Sequence, residues 1–324
     1  MMGRTISSGV GFVLLIVFIL LSWNLFDSRQ LLERLHAVLA HPGWLIIMFA
    51  AYWLSFLLKA AAWRAYLGHE HPIGLYLHGL FYSLLINHLL PVKIGDLVRT
   101  GILMKKARLQ WDAALHSVMM MRLVDLLVLG FISAAGMLWL GMAVSWITFA
   151  AIAVMVILAG IAIIILPIRR WPFVQRHWEQ LKAVATSRQG PYILLLVAVS
   201  WILEAAILLG IARMGGIELG VASSVWANSV TIGGQVFHIT PGGIGTYENT
   251  LSGTLAVLGV NWDEAYATAL LAHAFKFAAA YILGAYSLIR MPVRLREARE
   301  WIRIPRQPSL QTTDTTSKRE RTFL

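Results

Sequence analysis

The sequence predicts an all-α polytopic membrane protein of about six full spans plus two re-entrant helical hairpins, arranged as two inverted repeats. Three observations predict it. The 324 residues are 58% hydrophobic and 13% charged, about half the charge of a soluble domain. Six apolar stretches reach the roughly 20 residues that a hydrocarbon core demands. Two further apolar regions are interrupted near their middles by proline and glycine.

The full spans are expected near 8–25, 43–64, 112–140, 144–167, 191–213 and 263–290. The first follows Arg4 and runs to Trp23 without a small-x-small site, so it reads as a retained helix and not a cleaved signal. Residues 73–106 break at Leu90-Pro91-Val92-Lys93, and residues 221–258 break at Thr240-Pro241-Gly242-Gly243. Proline removes a helix donor and glycine permits a sharp turn. The economical reading is two hairpins, each leaving on its side of entry, with broken backbone lining protein or a wet cavity. Two proline-kinked spans are the alternative. Residues 169–190 form a basic connector in which Trp171, Val174, Trp178 and Leu181 make one apolar face, an interfacial helix. Residues 1–290 thus make one membrane domain, with repeat one about 8–140 and repeat two about 144–290. Residues 291–324 read as a basic, disordered cytoplasmic tail.

Charge placement sets the orientation. With both hairpins re-entrant, segments 1–7, 64–74, 99–111, 169–190 and 290–324 share a side and carry 20 Lys and Arg. The opposite segments carry Arg29, Arg34 and Arg213 alone. The positive-inside rule then puts both termini in the cytoplasm of a cell bounded by an inner or plasma membrane. Double spans in place of both hairpins would preserve every side assignment.

The chain repeats itself. His88-Leu-Leu-Pro91-Val-Lys-Ile94-Gly95 aligns with His238-Ile-Thr-Pro241-Gly-Gly-Ile244-Gly245, and Trp111-Asp112 aligns with Trp262-Asp263. Two spans, a hairpin and a third span make three crossings per unit. An odd number inverts the second copy, the arrangement of many secondary transporters.

Lys59, Lys93, Asp96, Arg122, Asp125, Glu204, Glu248 and Lys276 lie in or beside the apolar segments. Each unpaired charge costs about 2.5–3.5 kcal/mol at mid-membrane, so they pair or share a hydrated cavity. A structural ion-pair network is one reading; a polar route for a charged group is the other. Helices restarting after Pro91 and Pro241 would present N–H groups and a positive dipole end. With Lys93, Arg99, Arg122 and Lys276 they suit an anion, above all a phosphate. Gly242, Gly243 and Gly245 would let the backbone approach it.

Other chemistries are poorly supported. The chain has no cysteine, which excludes thiolate nucleophiles and Cys-ligated metals. His69-Glu70-His71 reads as a solvated turn, so no metal or cofactor is expected. His88, His238 and His273 are candidate cap, cavity or titrating groups. Most tryptophans fall at span ends as an aromatic belt. The net charge of +11 belongs to membrane topology here, and no nucleic-acid partner is expected.

At these residues the sequence resembles the flippase-like family, the transmembrane region of lysylphosphatidylglycerol synthase/flippase proteins and its stand-alone relatives. The resemblance covers about 8–290. It rests on Asn87-His-Leu-Leu-Pro91-Val-Lys93-Ile-Gly95-Asp96-Leu-Val-Arg99 and Arg122-Leu-Val-Asp125, then on Gly234-Gln235 and Thr240-Pro241-Gly242-Gly243-Ile-Gly245-Thr-Tyr247-Glu248. Asp96 stands where that family more usually carries Glu, and His273 where an aromatic or arginine is frequent. The resemblance implies translocation of an anionic or modified lipid between leaflets. Members with an aminoacyl-transferring domain also make the lipid; these residues carry no such domain, so synthesis is not expected.

The expected function is therefore lipid flipping through a polar cavity between the hairpins, without enzymatic activity. Its expected lining is Asn87, Pro91, Lys93, Gly95, Asp96, Arg99, Arg122, Asp125, Glu204, Gln235, His238, Thr240, Pro241, Gly242, Gly243, Gly245, Tyr247, Glu248, His273 and Lys276. The expected partners are membrane lipids with anionic headgroups and a second copy of the chain. A non-transporting scaffold for envelope biosynthesis is the alternative, and an intramembrane transferase using Glu248 or His273 is a third.

Overall fold

A computed structural model describes residues 28–90, 94–141, 186–235 and 240–293, the side chains of 28–31 and of Pro241 excepted. All the regular structure among them is helical. In order come α1 (Ser28–Leu39), α2 (Pro42–Tyr66), α3 (Ile73–Leu89), α4 (Gly95–Lys106), α5 (Trp111–Trp139), α6 (Gln189–Glu204), α7 (Ala206–Met214), α8 (Val221–Gly234), α9 (Thr246–Val257) and α10 (Trp262–Arg290).

Local signals set the ends. Pro42 opens α2, where its missing N–H costs nothing. Beyond α2 the chain turns through Gly68 and His69 at positive φ, and the Arg64 Nε donates to the His71 carbonyl at 2.8 Å. Asn261 caps α10 by accepting the Asp263 N–H at 3.0 Å, and Asp263 and Glu264 complement the helix dipole there.

Among the described residues, α2, α5, α10 and the stretch Gln189–Met214 formed by α6 and α7 are long and apolar enough to cross a membrane. They match the expected spans near 43–64, 112–140, 263–290 and 191–213. The expected spans at 8–25 and 144–167, the connector helix within 169–190 and the tail from residue 294 lie outside the described residues. Two features depart from expectation. The segment around 26–42, read as a connection, contains α1, which Arg34 ties to Glu264 of α10 at 3.0 Å. The 191–213 span is interrupted at Ala205, which separates α6 from α7.

The interior lies where α2 packs on α3 and α6, α5 packs on α4 and α8, and α10 packs on α3, α7 and α9. Trp63 and Tyr76 meet edge to face with centroids 5.3 Å apart, and Phe56 and Phe81 lie 5.7 Å apart. The outer faces stay apolar: Ile46, Leu127, Phe131, Leu195 and Ile289 are all exposed. Greasy outer faces around a core holding Lys59, Arg99, Glu204, Glu248 and Lys276 invert the soluble pattern, as lipid contact requires.

Gly95 fixes how α4 meets α3. A Cβ there would stand 2.5 Å from the Ser83 carbonyl oxygen and 2.6 Å from Asn87 Oδ1. Only glycine permits that approach.

Candidate functional site: a charged cavity within the helix bundle

The charged side chains converge on a cavity of about 360 Å³, within the roughly 300–1,000 Å³ range of small-molecule sites. Its walls include Lys59 of α2, Asn87 and His88 of α3, Asp96 and Arg99 of α4, Arg122 and Asp125 of α5, and Glu204 of α6. Gln235, Gly242, Tyr247, His273 and Lys276 complete them from the second half of the chain.

One group surrounds Glu204, whose carboxylate lies between two ammonium groups. Lys276 Nζ donates to its Oε1 at 2.9 Å and Lys59 Nζ to its Oε2 at 3.1 Å. Lys276 also donates to Asn228 Oδ1 at 3.2 Å. Lys59 Nζ sits 3.3 Å from the centre of a Trp201 ring, a cation–π contact. The Trp201 indole in turn donates to Asp125 at 3.1 Å.

A second group gathers at α4. Arg122 grips Asp96 through Nε at 3.1 Å from Oδ2 and Nη2 at 3.1 Å from Oδ1. Asp96 approaches Arg99 Nε at 3.6 Å, beyond good hydrogen-bond length. Arg99 is only 3% exposed. Its Nε and Nη2 are buried with no hydrogen-bond partner among the described residues.

The third group lies between the Thr240–Gly245 turn and α10. Gly242, at φ 62°, turns its carbonyl to His273 Nε2 at 3.1 Å. His273 Nδ1 lies 2.6 Å from Glu248 Oε1, and the Tyr247 ring stacks on the imidazole at 4.3 Å. Thr240 Oγ1 closes the turn by donating to the Ile244 carbonyl at 2.7 Å. Gly243 donates from its N–H to Thr240 at 3.1 Å.

The helix starts are more committed than their sequence suggests. The Gly95 N–H donates to Asn87 Oδ1 at 2.9 Å, and the Gly245 N–H donates to Glu248 Oε2 at 2.7 Å. Each leading amide therefore has an internal acceptor. α9 also starts at Thr246, after a short 3-10 turn over Pro241–Gly243.

Pro91, Lys93 and His238 lie outside the described residues. The expected list omitted Lys59, Trp201 and Asn228, which complete the Glu204 group. Lys59 alone had a signal, as a cation inside an apolar span; Trp201 and Asn228 resemble ordinary helix residues until α6 and α8 meet α10.

The family model described as Lysylphosphatidylglycerol synthase TM region matches residues 8–284. No curated protein and no solved structure matches the chain significantly.

Proposed function

The chain belongs to the lysylphosphatidylglycerol synthase TM-region family, a multi-pass membrane protein of the lipid-biosynthesis or flippase type, and from that premise we propose that it moves an anionic lipid between leaflets. The observation that carries the reading is the buried Arg99 guanidinium, whose Nε and Nη2 lack hydrogen-bond partners among the described residues, on the wall of a cavity shared by both halves of the chain. A phosphate supplies acceptors for that fork in a geometry a guanidinium favours. Arg122 and Lys276 extend the positive wall, while Asp96 and Glu204 hold them in place.

In this reading α3–α4 and α8–α9 are the two re-entrant hairpins of an inverted repeat. Their arms of 17, 12, 14 and 12 residues support it, being about 18–26 Å long against a core of about 30 Å. The lipid headgroup passes between the hairpins and its chains remain in the bilayer. The protein acts as a transporter and not as an enzyme, in the inner or plasma membrane, with both termini cytoplasmic. The alternative is a non-transporting scaffold for a lipid or envelope enzyme, with the charges serving only as internal ties.

Reconstitution separates the two. Purified protein in vesicles should equilibrate a fluorescent phosphatidylglycerol between leaflets faster than protein-free vesicles do. No movement across a panel of anionic and zwitterionic lipids would reject translocation in favour of the scaffold.

A further inference from the structure

We propose that Glu248 and His273 form a proton site, and that the protein carries its anionic lipid together with one proton. The inference rests on the translocation reading above and adds what drives it.

Proton counting carries it. A neutral imidazole has one N–H donor, yet both nitrogens of His273 face oxygens. Nε2 faces the Gly242 carbonyl at 3.1 Å, which only accepts, so Nε2 holds a proton. Nδ1 faces Glu248 Oε1 at 2.6 Å, a separation that requires a second proton on one atom or the other. Glu248 Oε2 already accepts the Gly245 N–H at 2.7 Å. The pair therefore holds one proton more than a carboxylate beside a neutral imidazole, whichever partner formally owns it. Both side chains are buried, at 4% exposure each.

The neighbouring charges give that proton a purpose. Among the described residues at the cavity, the cations Lys59, Lys276, Arg99 and Arg122 face the carboxylates of Asp96, Asp125 and Glu204. Among these described groups, four against three leaves one positive charge while the Glu248–His273 pair is proton-loaded and neutral. A phosphodiester monoanion balances that charge. Loss of the proton would bring these described groups to neutrality, and a bound phosphodiester would then leave a negative charge that none of them compensates in a low-dielectric interior. Anion and proton are thus taken up and released together, and no net charge crosses.

The same proton ties the turn to α10. Without it, either the Nδ1 lone pair opposes the Glu248 carboxylate, or the Nε2 lone pair opposes the Gly242 carbonyl. The Thr240–Gly245 turn would then separate from α10, coupling protonation to opening. From α9, Glu248 and Tyr247 face His273; from α3, His88 does, its ring centroid 6.5 Å away. Along α10, Lys276 is held by Glu204 of α6. Arg213 of α7 points to Trp44, and Arg34 of α1 meets α10 at Glu264.

The test uses the full chain in phosphatidylcholine vesicles containing fluorescent phosphatidylglycerol, a probe with one phosphodiester charge, under a pH gradient of about one unit. The label should accumulate in the leaflet facing the alkaline side, by up to about tenfold and beyond any drift in protein-free vesicles. A potassium diffusion potential should leave the distribution unchanged. Glu248→Gln places an amide donor against Nδ1 and an acceptor against the Gly245 N–H, imitating the loaded pair. The variant should distribute label identically with and without the gradient. Wild-type protein in detergent supplies a second measurement: calorimetry with glycerophosphoglycerol in two buffers of different ionisation enthalpy should show uptake of roughly one proton per phosphodiester. Gradient-insensitive translocation by the wild type, or binding with no proton uptake, overturns the proton site and leaves translocation standing. A label that never moves overturns translocation and the coupling with it.

Discussion

Arg99 lies against Trp63 with its guanidinium carbon 4.9 Å from a ring centroid. The contact supports the plane of the guanidinium while Nε and Nη2 have no hydrogen-bond acceptor among the described residues. Burying such a group is costly, and a site that keeps it trades stability for binding. Arg99→Gln is therefore expected to melt no lower than wild type, yet bind phosphatidylglycerol in nanodiscs about 10–150-fold more weakly, the worth of charge-assisted hydrogen bonds of about 1.5–3 kcal/mol. Arg99→Lys should fall between them, because it keeps the charge without the fork. A large loss of melting temperature with unchanged lipid binding would make Arg99 a structural tie.

Glu204 joins α2, α8 and α10 through Lys59, Lys276 and the Asn228 contact of that lysine. Glu204→Gln leaves two buried ammonium groups facing a neutral amide, and should cost about 3–5 kcal/mol in unfolding. Adding Lys59→Met should restore part of the loss. The cycle should give a coupling above about 0.5 kcal/mol; additive single effects would mean the three groups do not act as a unit.

Gly95→Ala introduces a methyl group 2.5 Å from the Ser83 carbonyl, and the backbone cannot swing aside as a side chain would. The expected cost is about 1–3 kcal/mol, as for overpacking elsewhere, read as a lower thermal midpoint. The shift of α4 should also separate Asp96 from Arg122, so lipid binding should weaken in the same variant.

Hydropathy made the long apolar helices among the described residues legible. Residues 42–66, 111–139 and 262–290 are helices almost where their apolar runs lie, because in a bilayer helix length is set by hydrocarbon thickness and little else. α3 ends at Leu89, next to the expected first break, whereas α8 already ends at Gly234, ahead of the expected second break at Thr240–Gly243. Pairing was less legible. Arg122 and Asp125 are three residues apart and share a helix face, yet Arg122 makes its two-pronged contact with Asp96 of α4, and Asp125 accepts from Trp201. Which carboxylate an arginine takes depends on which helices pack together, and helical periodicity carries no such information. The interruption at Ala205 has neither proline nor glycine to announce it. It adjoins Glu204, whose two lysine partners come from distant parts of the chain.

Topology is testable because the chain contains no cysteine. A single cysteine at position 260 should react with an impermeant maleimide added to intact cells, and one at position 318 should react only after permeabilisation. The 20 basic residues on one side against three on the other predict that order. The reverse labelling would invert the protein in the membrane.

The most direct measurement is the half-time for fluorescent phosphatidylglycerol to exchange between leaflets in vesicles holding wild-type protein, the folded Arg99→Gln variant, or no protein. A route through the charged cavity predicts exchange at least about tenfold faster with wild type than without protein, and a variant slowed toward the protein-free rate by about the factor lost in headgroup stabilisation. Wild-type exchange no faster than empty vesicles, or an Arg99→Gln variant as fast as wild type, would contradict it.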